Sequence, residues 1–187
     1  MTLYEKKLSS EQIFDGKVVK LFVDKVELPD GKEAIREIVR HPGAVCVIPV
    51  TDEGDVIMVK QYRYAFETVM LEIPAGKLEP GENPLESVKR ELEEESGVVA
   101  GKIEYMGEIF TTVAIFDEKI HAYLATELVF NNAHPDEDEF LEVEKIPLKK
   151  LVEMVMNGEI RDSKTQICIL KADKLLSQRK SNQEVIL

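Results

Sequence analysis

Basic charge, cysteine and long apolar runs are all scarce in this chain, and each scarcity removes a class of function. Lys and Arg number 24 against 36 Asp and Glu over 187 residues, a formal net charge of −12. Such a surface lacks the Lys/Arg excess with which nonspecific nucleic-acid binders displace counterions, and an anionic membrane would repel it. A phosphate-bearing ligand would need metal ions or a few placed arginines. Only two cysteines occur, Cys46 within AVCVIPV and Cys168 within ICIL. Both read as small core residues, and no disulfide framework is expected. No apolar run approaches the roughly 20 residues that span a bilayer, and the opening MTLYEKKLSS lacks a signal-peptide core. The expected compartment is the cytosol. His41, His121 and His134 are scattered without His/Cys ligand spacing, which argues against zinc. There is no Gly-rich P-loop, no G-x-G-x-x-G, no G-x-S-x-G, no internal repeat and no low-complexity linker.

What is present suits one good-sized core, at 44% hydrophobic residues. KVVKLFVDKVEL, the turn Pro29-Asp30-Gly31 and KEAIREIVRH predict a hairpin over residues 17–41. AVCVIPVT (44–51), a turn at DEGD and VIMVKQYRY (56–64) predict a second. Further strands are expected at 102–112, 118–130 and 140–146, and helices at 84–96, 147–158 and in the tail from Asp162. Strands and helices do not alternate regularly, so the expected class is α+β rather than a doubly wound parallel sheet. NNAHPDEDE, residues 131–139, is the clearest loop and strongly acidic.

The stretch GKLEPGENPLESVKRELEEESGV, Gly76 to Val98, concentrates seven glutamates in 23 residues. Asn83 is a good N-cap, Pro84 suits the first helical position and Gly97 supplies the stop. At about 100° per residue, Glu91, Glu94 and Glu95 share one face, bordering the apolar stripe of Leu85, Val88 and Leu92. Glu86 and Glu93 have basic residues three or four positions away. Glu91 and Glu95 have none, so as like charges at i,i+4 they should weaken the isolated helix, a cost that a divalent cation would reverse. Carboxylate oxygens at the rim of a core suit Mg2+, which bridges protein carboxylates to substrate phosphates.

Gly76, Glu82, Arg90, Glu91, Leu92, Glu94, Glu95, Gly97 and Val98 fit G-x5-E-x7-R-E-U-x-E-E-x-G-U, U being bulky and aliphatic, without mismatch. The stretch resembles the Nudix box. The resemblance implies an α/β/α sandwich with a mixed β-sheet, in which a loop–helix–loop binds Mg2+ or Mn2+ and the substrate is a nucleoside diphosphate linked to another moiety. REIVRHPGAVCVIPV, QYRY, LEIPAGKLEPGE, DEDEFLEV and GEIRDSKT are similar to the ADP-ribose pyrophosphatase branch across nearly the whole chain. That likeness implies an N-terminal β-region over residues 1–41, for dimerisation and substrate contacts, ahead of a hydrolase domain over 42–187. It also implies a homodimer whose sites draw residues from both chains.

By the same resemblance, Glu91, Glu94 and Glu95 are metal ligands together with the Ala75 carbonyl, Arg90 orients the glutamates, and Gly76 and Glu82 support the box. Arg63 holds a substrate phosphate and Arg36 lies near the nucleotide. In DEDE, Glu137 is the general base and Glu139 stands close to the metals. Where the branch has a Ser-Pro-Gly turn this chain reads Thr112-Val113-Ala114, and Phe116 replaces a small polar residue. Asp117 and Glu118 keep the acidic end of that loop, which in relatives lies against the terminal ribose. The leading expectation is a Mg2+-dependent pyrophosphatase releasing AMP and a sugar phosphate from ADP-ribose or a related nucleoside diphosphate sugar. The alternatives are hydrolysis of dinucleoside polyphosphates or damaged nucleotides, a nucleotide-sugar sensor without catalysis, and an acidic interaction protein.

Overall fold

The computed structural model describes residues 3–131 and 140–184, and the chain divides into two compact units, 1–43 with 110–119, and 44–109 with 120–187. In the first unit, β1 (Lys6–Asp15), β2 (Lys20–Glu27) and β3 (Glu33–Arg40) form an antiparallel sheet in that order. The predicted hairpin is its β2–β3 half, running in register from Lys20 opposite Arg40 to Glu27 opposite Glu33. Its turn closes with Gly31 at φ 84°, the Gly31 N–H donating to the Leu28 carbonyl at 2.9 Å. The segment 110–119 docks on β3, where the Val39 N–H donates to Ile115 O at 2.7 Å and the Asp117 N–H to Val39 O at 3.1 Å.

The second unit holds two sheets. One has the order β10 (Leu141–Pro147), β5 (Asp55–Arg63), β6 (Thr68–Glu72). The other has the order β7 (Ala75–Lys77), β4 (Ala44–Pro49), β9 (Lys119–Phe130), β8 (Val98–Phe110). β4 runs parallel to β9 and antiparallel to β7, so this sheet is mixed. Its central strands are buried on both faces, and their alternation sorts side chains into two cores. Cys46 and Ile48 of β4 with Ala122 and Leu124 of β9 meet Leu151 and Val155 of α2 (Leu148–Met156) and Ile169 and Ala172 of α3 (Ser163–Glu184). Val45 and Val47 with Tyr123 and Ala125 meet Val88 and Leu92 of α1 (Pro84–Ser96). Helices on both faces of a mixed sheet give an α/β/α sandwich of the α+β class.

The structure corrects the second predicted hairpin. β4 and β5 lie in different sheets and share no ladder, and among the described residues the only bridge at their junction is an isolated one between Val50 and Val56. A strand has two hydrogen-bonding edges, and those of β4 are taken by β7 and β9, which leaves none for β5. β5 pairs with β10 and β6 instead.

Candidate active site

The acidic helix is built as its sequence dictates. Asn83 Oδ1 accepts from the Leu85 N–H at 2.8 Å, Pro84 occupies the first turn, and Gly97, at φ 69°, donates its N–H to Glu93 O at 2.8 Å. Val88 and Leu92 anchor it to β4, so the residues between them and solvent are carried along the edge of β7. Glu95, 4% exposed, accepts the Ala75 N–H at 3.0 Å. Glu91 reaches over Gly76 so closely that a β-carbon there would fall 2.0 Å from Oε1.

Arg90 stands among three carboxylates. Its Nη1 donates to Glu94 Oε2 at 2.8 Å, Nη2 lies 2.9 Å from Glu91 Oε1, and Nε donates to Glu82 Oε1 at 3.3 Å. Burial works against its charge, but these acids outweigh burial and raise its pKa. Glu82 also accepts the Glu79 N–H at 3.0 Å, which with Arg90 holds its carboxyl below the usual range and ties the preceding loop to the helix. One expectation needs correction. Glu91 has no basic residue three or four positions away, yet it has a cation, because the long Arg90 side chain folds back to its own neighbour. Helical spacing rules do not count adjacent positions.

The donor chemistry fits a hard divalent cation. Glu91, Glu94 and Glu95 are acceptor-only groups, and the lack of a side chain at Gly76 leaves the room that the Glu91 carboxylate takes up. In this structure the three carboxylates are shared between Arg90 and the Ala75 N–H. Among the described residues no three His, Cys, Asp or Glu side chains gather tightly enough to hold a metal ion. Glu137 and Glu139 lie outside the described residues.

Arg63, at the end of β5, grips Glu72 in a fork, Nε to Oε1 at 2.6 Å and Nη2 to Oε2 at 2.7 Å. Arg36 and Glu118 belong to the other unit. Arg36 forks onto Glu5, Nε to Oε2 at 2.9 Å and Nη2 to Oε1 at 2.6 Å. Glu118 accepts from Thr111 Oγ1 at 3.0 Å and faces His41 Nδ1 at 3.5 Å, while Asp117 accepts from Arg40 and from the His41 N–H. Sequence reasoning passed over Glu72, Asp162 and Lys164. The only signal for them was their presence in LEIPAG and GEIRDSKT.

A family model for the NUDIX domain matches residues 40–166, and one for the nucleoside diphosphate sugar hydrolase N-terminal domain matches residues 5–39. The chain belongs to the Nudix family. This Nudix chain is 48% identical to an ADP-ribose pyrophosphatase of Bacillus subtilis (strain 168), over 90% of its own length and 92% of the relative's. It is 47% identical to a methanol dehydrogenase activator of Bacillus methanolicus, over 88% and 90%. Its fold matches a crystal structure of an ADP compounds hydrolase with a TM-score of 0.84 at 20% identity, covering 96% of this chain and 98% of that one. It is a Nudix hydrolase, a family whose members generally use divalent metal ions.

Proposed function

We propose that this Nudix hydrolase cuts the diphosphate of ADP-ribose, or of a related nucleoside diphosphate sugar, into AMP and a sugar phosphate. The observation that carries this reading is the box helix, whose Glu91 packs directly over Gly76 and whose Arg90 pairs with Glu91 and Glu94, in a chain 48% identical to an ADP-ribose pyrophosphatase over nine-tenths of its length. Glu91, Glu94 and Glu95 with the Ala75 carbonyl would hold Mg2+, or Mn2+ in its place. Such ions neutralise phosphoryl oxygens and acidify water.

The protein's own groups do the rest. Arg63 holds a phosphate by its outer guanidinium edge, and Arg90 orients the box glutamates. Water attacks phosphorus as the bridging P–O bond breaks, and Glu137 takes the proton of that water, with Glu139 beside the metals. Arg36 and Glu118 contribute to the nucleotide and terminal-ribose ends, with residues 1–41 pairing to a second copy in a cytosolic homodimer. The exposed length of β1 supports that pairing.

With Thr112-Val113-Ala114 in place of Ser-Pro-Gly, the second reading is a related nucleoside diphosphate sugar in place of ADP-ribose. The deciding experiment incubates the protein and Mg2+ with ADP-ribose, ADP-glucose, GDP-mannose, dinucleoside polyphosphates and NADH, with products separated by chromatography. AMP and a sugar phosphate from ADP-ribose are expected. Binding without product would support a sensor, and no turnover of any compound would overturn the enzymatic reading.

A further inference from the structure

Glu72 is only 2% exposed at the end of β6, a placement that is costly for a carboxylate unless every oxygen is matched. It is matched from two sides. Arg63 forks onto both oxygens, and Lys164, itself 8% exposed, donates from behind to Oε2 and also to Asp162 Oδ2 at 3.0 Å. Asp162 in turn caps α3 by accepting the Thr165 N–H at 2.9 Å, and Thr165 Oγ1 accepts the Ile73 N–H at 3.1 Å. The start of α3 is thus bolted to the strand that carries Glu72.

Stability alone does not account for this arrangement, because a buried ion network is commonly no more stabilising than well-packed apolar side chains of the same volume. Nor does it add positive field, since Arg63 and Lys164 cancel Glu72 and Asp162 in formal charge. What it fixes is direction. The fork uses Nε–H and one Nη2–H, so the three remaining N–H groups of the planar guanidinium are turned away from Glu72, on a side chain that is 39% accessible. Glu95 contributes to the raised Arg63 pKa, after Glu72, which places Arg63 within electrostatic reach of the acidic helix.

We propose that Glu72 is a positioning residue for Arg63, held in turn by Lys164 and Asp162, and that it presents the outer guanidinium edge to a substrate phosphate in fixed orientation. The inference rests on the proposed cleavage of an anionic diphosphate. It adds a residue of β6 and the first turn of α3 to the machinery of that site.

The test is a double-mutant cycle on Arg63→Ala and Glu72→Gln with Mg2+ and whichever diphosphate of the panel the wild type cuts, each variant checked by thermal melting. Glu72→Gln should raise KM by about 10-fold with kcat within about 3-fold, because binding orientation rather than chemistry is lost. In the Arg63→Ala background the same change should shift KM by less than about 2-fold. An equal effect in both backgrounds overturns the inference and leaves a structural role. Should Glu72→Gln fail to fold, Arg63→Lys decides, because it keeps the charge and loses the fork. A KM rise within about 3-fold of that of Arg63→Ala is expected, and a wild-type KM overturns the proposal. Wild-type turnover with a failed cycle sinks this inference alone, whereas no wild-type turnover sinks the hydrolytic reading as well.

Discussion

A β-carbon on Gly76 would lie 1.9 Å from Cδ of Glu91. No side chain can occupy that position while Glu91 keeps its place, because the contact is far inside van der Waals distance, and the near atoms are the far end of a flexible side chain, so Glu91 is the group that moves. Gly76→Ala is therefore expected to push Glu91 off the edge of β7 while Val88 and Leu92 still anchor the helix. Metal affinity should fall by about 10-fold or more and kcat/KM by about 100-fold, since misplacing a positioned group by about 1 Å costs that much. Far-UV circular dichroism should hardly change. Calorimetric Mg2+ titration and steady-state kinetics check it, and wild-type values for both would show that Glu91 is not a ligand.

Arg90 meets Glu82, Glu91 and Glu94 with three different nitrogens. A lysine keeps one charge but offers a single nitrogen, so it can satisfy one carboxylate well and must release the others. Arg90→Lys should lower kcat by about 10-fold and displace the Mg2+ dependence of turnover, with the loop 78–83 becoming more susceptible to proteolysis as its tie through Glu82 weakens. Unchanged Mg2+ dependence would confine Arg90 to a surface role.

Acid should reach Glu72 late. Burial works to raise its pKa, but the forked Arg63 and the Lys164 ammonium outweigh burial and hold it at about 2, against 4.5 for an ordinary glutamate. Because the folded value is the lower one, its contribution is complete above about pH 4.5 and is lost as pH falls through about 2; a depression of that size is worth about 3 kcal/mol. Urea unfolding at pH 6 and pH 2.5 should show the wild type losing about 2 to 3 kcal/mol more than Glu72→Gln over that interval. Parallel losses would mean that Glu72 does not carry the linkage.

How much of this was legible beforehand depended on whether the signal was local. α1 was readable in full, since Asn83, Pro84 and Gly97 mark its ends within the helix's own sequence, and one turn's spacing gathers Glu91, Glu94 and Glu95 on one face. β1 was not readable. KKLSSEQIFD has no apolar alternation because all ten residues are exposed, and only pairing with β2 makes it a strand. The β4–β5 hairpin misled because a turn between two apolar runs says nothing of which edges other strands will claim. Glu72 and Lys164 stand 92 positions apart, and no local period joins them. The fold alone brings that carboxylate and that ammonium together.

Glu137 belongs to the acidic stretch DEDE, and the proposed chemistry gives it one task, accepting a proton from the attacking water. Glu137→Gln keeps the size of the side chain and removes its basicity, so binding of Mg2+ and of substrate should be retained while kcat falls by about 100-fold or more, within the range general-base catalysis supplies. The same change should flatten the acid limb of the kcat–pH profile, because that limb reports protonation of the base. Glu139→Gln separates the two roles. The proposed chemistry assigns Glu139 to the metals rather than to the proton, so this change should weaken Mg2+ binding and leave the pH profile in place. Reversal of those two patterns would exchange the assignments, and near-normal turnover in Glu137→Gln would remove Glu137 from the reaction.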